Sequence, residues 1–156
     1  MSRTTDNQIS GVEELNRTLK WLEEKQQRRI MGNAMNRTLT VIQKAIRAEA
    51  PRGNRTSERV GVALHKGIGK RVSRHKGKPV VGTAGANVKA KGSKRVPHNW
   101  LVIFGSVQRF TKTGANRGRM PANDFVGRGI AKSKQRAFQK MVSVAREQVA
   151  KLKSRG

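Results

Sequence analysis

The chain contains no cysteine and no tyrosine, only four prolines, and aromatic residues fill just 4% of its 156 positions. Without cysteine, neither a disulfide framework nor a thiolate metal site is available. So few aromatics leave few platforms on which nucleic-acid bases could stack. Long hydrophobic runs are also missing. The longest strongly apolar stretch is Trp100 to Phe104, far short of the roughly 20 residues that cross a bilayer. Met1 to Ser10 has no apolar core, so no secretory signal is expected and the chain reads as a soluble product of the cytoplasm. Negative charge is scarce as well: 9 acidic residues stand against 35 basic ones, a formal net charge of +26. Such an excess points to polyanions or to acidic protein surfaces as partners.

The apolar residues that are present suffice for a thin core. Leu, Ile, Val and Phe together make 33 of the 156 residues, just above the roughly 20% below which a highly charged chain tends to remain disordered. Residues 1–156 suit one domain, with 1–9 as a flexible N-terminus. A neighbour or an oligomer is expected to complete its stability.

The charge is unevenly placed. Residues 1–58 hold 11 basic and 7 acidic side chains, and 124–156 hold 9 and 2. Between them, residues 59–123 hold 15 basic side chains and no acidic one, so no ion pair can form within that tract. Two clusters stand out as candidate contacts for DNA or an acidic partner. The first is Lys66, Lys70, Arg71, Arg74, Lys76 and Lys78; the second is Lys89, Lys91, Lys94 and Arg95. Contacts of this kind to phosphate orient a protein without reading bases. The same residues also read as a solvated, basic hairpin pair, or as a face that steers an acidic neighbouring subunit into place.

Periodicity supplies the elements. Ser10-Gly11-Val12-Glu13 has the form of a capping box, and Val12, Leu15, Leu19 and Leu22 follow at helical spacing. The charged run from Glu23 to Arg29 interrupts this stripe and is either a solvated helix face or a bend between two helices, with a bend or kink the favoured reading. Ile30, Met31, Ala34, Met35, Thr38, Leu39, Ile42, Ala45 and Ile46 then restore an i, i+3, i+4 pattern, which Pro51 ends. Residues 59–74 and 78–88 are rich in valine and glycine with partial alternation, predicting two or three strands with basic tips. Trp100 to Phe104 reads as a buried structural segment, either strand or short helix. Residues 109–120 read as a long polar loop. Ile130, Ala137, Phe138, Met141, Val142, Ala145, Val149 and Leu152 form the stripe of a final helix, with Asn123 or Asp124 as its cap. The expected fold is therefore α+β: N-terminal amphipathic helices and a long C-terminal helix packed on a small, mainly antiparallel sheet with extended basic loops.

Catalysis is not expected. Most acidic residues fall within the helices. His65, His75 and His98 have no acidic neighbours that would complete a metal site, and no cofactor is implied. Gly67-Ile68-Gly69-Lys70-Arg71 lacks the Ser or Thr that a phosphate-binding loop places after its lysine.

The order of motifs, however, resembles the tail-component and tail-completion family of siphophage neck proteins. It runs through a long helix ending in Ala50-Pro51, a basic strand near Leu64 to Val72, and His98-x-x-Leu101-Val102-x-Phe104-Gly105-Ser106 with Trp100 inside it. Met120-Pro121-Ala122 and Phe125 then lead into the final helix. Ile103 and Ser106 stand where the family typically has glutamate and threonine. The resemblance implies structural roles for His98, Trp100, Leu101, Phe104, Gly105, Pro121 and Phe125. It also implies a virion protein that forms a homo-oligomeric ring at the head-tail junction, around the DNA path. Its partners there would be the connector or stopper on one side and the tail-tube or tail-terminator proteins on the other. Composition alone favours a free-standing nucleic-acid-binding protein of ribosomal or nucleoid type.

Overall fold

The structure is a computed structural model that describes residues 13, 16, 17, 19, 20, 22–51, 64–86, 88, 96 and 99–154. The elements are helix α1 (Glu24–Glu49), a 3-10 turn (Leu64–Gly67), strands β1 (Ile68–Ser73) and β2 (Val81–Ala86), the short helix α2 (Asn99–Phe104) and helix α3 (Phe125–Lys153). Two long helices packed together with a two-stranded antiparallel sheet make the chain α+β, as its periodicity predicts. The possible third strand is not found among the described residues.

Glu13, Asn16, Arg17, Leu19 and Lys20 are helical, and the chain bends at Leu22 before α1 begins at Glu24. The bend therefore falls at the start of the charged run, and most of that run is the first turns of α1. Glu24 pairs with Arg28 one turn on, at 2.8 Å, and the Gln27 side-chain amide donates to the Leu22 carbonyl at 2.7 Å. At the far end the Ala50 amide still reaches Ile46 O at 3.0 Å, after which Pro51 cannot donate and the helix stops.

The described residues form two compact units, the first drawn from Met1–Val41, Val72–Gly82 and Gln135–Gly156, the second from Ile42–Arg71 and Thr83–Lys134. The core of the first is Ile30, Ala34, Val144, Ala145 and Val149, with Leu19, Leu22, Met141 and Leu152 packed against it. Ala34 and Ala145 are both fully buried, and their small side chains let α1 and α3 approach closely here. Thr38 is buried, and its hydroxyl is satisfied by Ala34 O one turn earlier at 2.9 Å.

The second unit gathers Ile46, Ala50, Leu64, Ile68, Val96 and Phe125. The start of β1 is tied to α1, because Gln43 Nε2 and Arg47 Nη2 both donate to the Ile68 carbonyl, at 2.8 and 2.9 Å. Phe125 opens α3 and is completely buried. The helix is capped there by Asp124, whose Oδ1 accepts from the Gly127 amide at 2.7 Å, satisfying one of the orphan donors of the first turn. The Asn123 side-chain oxygen instead accepts from Arg128. Of the two expected caps, Asp124 does the capping.

The stripe on α3 needs correction at one point. Ile130 is 41% exposed, whereas Gly129 and Ser133 are buried. A Cβ on Gly129 would lie 2.6 Å from the Ile46 Cα, so glycine is what allows the two helix backbones to meet at this level. The buried face there is made of small residues, and Ile130 falls about 100° round the helix from it.

Candidate interaction surface

Lys66 lies exposed on the 3-10 turn, Lys70 is half-buried on β1, and Arg71 is exposed beside it. All three belong to the second unit. Arg74, Lys76 and Lys78 belong to the first and are brought together at the exposed turn between the strands. In that turn Lys78 N bonds to His75 O at 3.2 Å, and Gly77 has φ +71°, a conformation glycine adopts without penalty. Lys89, Lys91, Lys94, Arg95 and His98 lie outside the described residues.

One residue that holds this turn is not apparent from the sequence. Arg28 Nη1 donates to His75 O at 2.7 Å and Nη2 reaches Lys78 O at 3.5 Å. The same guanidinium pairs with Glu24. In sequence Arg28 is one charge in a solvated run. In the fold it fixes the tip carbonyls, leaving the ammonium groups of Lys76 and Lys78 toward solvent. Arg74 lies across Gly32 and contacts Asn33 Oδ1 at 3.4 Å.

A second surface lies within residues 100–120. The expectation that Trp100 to Phe104 is buried does not hold: Trp100 is 58% and Phe104 78% exposed. Five consecutive apolar residues wrap every side of a helix, so a helix packed on one side cannot bury them all. Asn99 is buried and Leu101, Val102 and Ile103 are half-buried. Trp100 and Phe104, one turn apart, share the outer face. Gly105, with φ +76° and Met120 O close to where a Cβ would stand, turns the chain out of α2.

Residues 109–120 hold no strand or helix and form a long polar loop, and from Ser106 on the chain is folded back on itself by main-chain bonds. Ser106 N bonds to Met120 O, Arg109 N to Gly118 O, Arg117 N to Arg109 O and Thr111 N to Ala115 O, at 2.7 to 3.1 Å. Phe110 and Asn116 form an antiparallel bridge. The isolated bridge and these main-chain bonds draw the loop into a narrow ribbon without regular strands. Val107 (82% exposed) and Phe110 (62%) stand out from it, and Pro121 beyond it is exposed. An open cleft of about 490 Å³ between ribbon and α2 is lined by Phe104, Val107, Arg119 and Met120 among others.

Among the described residues, no three of His, Asp and Glu come together as a metal site, and no helix is long and apolar enough to cross a membrane. Glu49 is held by Lys132 at 2.7 Å and by Arg128 at 3.5 Å. The hydrogen bond from Lys132 is the main cause of its carboxyl's lying below the ordinary value. Glu147 is likewise lowered, mainly by its hydrogen bond from Lys151. Both are surface ion pairs. Gly67 to Lys70 runs from a turn into a strand rather than from a loop into a helix, as a phosphate-binding loop does. No protein-family model, no curated protein and no solved structure matches the chain.

Proposed function

We propose that the chain is a structural subunit of a phage virion, forming a ring at the head-tail junction that joins the connector or stopper to the tail tube and surrounds the DNA path. The observation that carries this reading is the order of elements and motifs along the chain. A long helix stops at Pro51, a basic strand (β1) follows, and the short Asn99–Phe104 helix leads through the Met120-Pro121-Ala122 stretch into a long final helix opened by Phe125. The thin packing supports it. Among the described residues, the largest fully buried side chains are only Phe125, Ile46, Ile68, Val96 and Asn99, which suits a subunit whose stability is completed by its neighbours.

The test is made on particles. Leu39 is 4% exposed, and Leu39→Asp would bury an unpaired carboxylate at a cost of several kcal/mol. Particles assembled with this variant are expected to show heads and tails unjoined. Normal, joined particles containing the folded variant would contradict the proposal.

A second reading, a free-standing basic nucleic-acid-binding protein, is favoured by the exposed Arg71, Arg74, Lys76 and Lys78. If about six basic groups neutralised phosphates, the logarithm of the binding constant should fall against that of salt with a slope of roughly −5. Replacing those four residues by Gln should then flatten the slope by about 3 or 4. Weak binding with a shallow slope favours the ring.

A further inference from the structure

We infer that residues 100–120 form a docking surface for an acidic, apolar segment of another protein. Three of the chain's six aromatic residues, Trp100, Phe104 and Phe110, are exposed within eleven positions, together with Val107. Singly exposed apolar residues are ordinary, but a cluster of large ones rimmed by charge marks an interaction site. Trp100 and Phe104 share one helix face, and Phe104, Val107, Met120 and Arg119 line one cleft, so the surface offers apolar anchors beside a guanidinium. Aromatic anchors flanked by arginine are the side chains that dominate protein-protein binding energy.

The charge identifies the occupant. Arg109, Lys112, Arg117 and Arg119 are all exposed on the ribbon, and no acidic residue lies between positions 59 and 123. An apolar segment without carboxylates would leave these cations facing each other. A second copy of this chain is a poor match. It brings a charge of +26, and four of its six described acids are already engaged: Glu24, Glu49 and Glu147 in ion pairs, and Asp124 in the α3 cap. Single-stranded nucleic acid would use the aromatics and cations but has no use for the aliphatic Val107 and Met120 in the cleft. A polypeptide carrying both carboxylates and apolar side chains uses all of them. The inference rests on this surface alone and does not require the ring.

The test uses the full chain with Trp21→Phe, which leaves Trp100 as its sole tryptophan. The probe is an extended peptide in which glutamates alternate with leucine and phenylalanine. A control peptide keeps the glutamates and replaces the apolar residues by serine. The apolar probe is expected to shift Trp100 emission to the blue and to bind at least about ten-fold more tightly than the control. Phe104→Ala with Val107→Ala should remove most of that ten-fold advantage while leaving the circular dichroism and the melting temperature unchanged, since both side chains are exposed. Equal binding of the two peptides, or an advantage that survives the double substitution, would overturn the inference. So would tighter binding of an oligothymidylate that quenches Trp100, which would assign the surface to nucleic acid. Self-association of the free protein that the double substitution abolishes would likewise overturn it, assigning the surface to a second copy.

Discussion

The two hydrophobic clusters are built on different plans. That of the first unit is a contact between two helices whose centre is small, with Ala34 and Ala145 between Ile30, Val144 and Val149. That of the second draws on five separate stretches of chain and closes around one large side chain, Phe125. A helix pair of this kind is stabilised by many similar contacts between two elements. A cluster assembled from distant segments depends on its largest member, and the second unit also carries the exposed ribbon. Among the described residues, five of the six exposed large apolar side chains, Trp100, Phe104, Val107, Phe110 and Ile130, lie in the second unit, and Val81 lies in the first.

The sharpest challenge to this contrast is Phe125→Ala. It should cost about 3–5 kcal/mol and unfold the second unit at a denaturant concentration where the first still holds its helix signal. Loss of both units in one unshifted transition would erase the distinction. Next in size is Ala145→Leu in the first unit, at a side chain that is completely buried. Overpacking there should cost about 1–3 kcal/mol by urea melts, and a neutral result would show that the helix pair is loose. Asp124→Ala removes the cap of α3 and should cost about 1 kcal/mol, with amide exchange accelerated first around Gly127.

The smallest effect is at Glu49. Its carboxyl is held below the ordinary value of 4.5 by the Lys132 hydrogen bond, with Arg128 assisting. A folded-state value below the unfolded one means that the stabilisation is present above about pH 4.5 and is lost as pH falls through the folded-state value. Thermal melts of Glu49→Gln should therefore show a slightly lower melting temperature at neutral pH and a shallower decline below pH 4.5. Parallel curves for the two proteins would mean that the pair is silent.

The same contrast explains what can be read from sequence. Along α1, Ile30, Ala34, Leu39 and Ile46 are buried as their spacing requires, because a helix facing one core must repeat every 3.6 residues. The second half of α3 follows the same rule from Ala137 to Leu152. Its first half does not, because close approach to Ile46 selects Gly129 and Ser133, which carry no hydrophobic signal. The loop over 109–120 is legible from its polarity, but the way it folds back on itself is hidden. Its pairing is made by main-chain bonds between Ser106 and Met120 and between Arg109 and Gly118, which polar side chains do not reveal. Of the basic residues the structure describes in the first cluster, Lys66, Arg71, Arg74, Lys76 and Lys78 are exposed and Lys70 is half-buried. That Arg74, Lys76 and Lys78 share one turn held by Arg28 requires the fold, since Arg28 lies 47 residues from His75. Trp100 and Phe104 mislead for the opposite reason, because a run of apolar residues states composition and not direction.

Whether the chain works as a ring subunit is decided by electron microscopy of the purified protein together with its native mass. Closed rings of a single copy number with an axial opening are expected, favoured as salt screens the mutual repulsion of +26 subunits. A monomer at every protein and salt concentration, gripping duplex DNA with a salt slope near roughly −5, would rule the ring out.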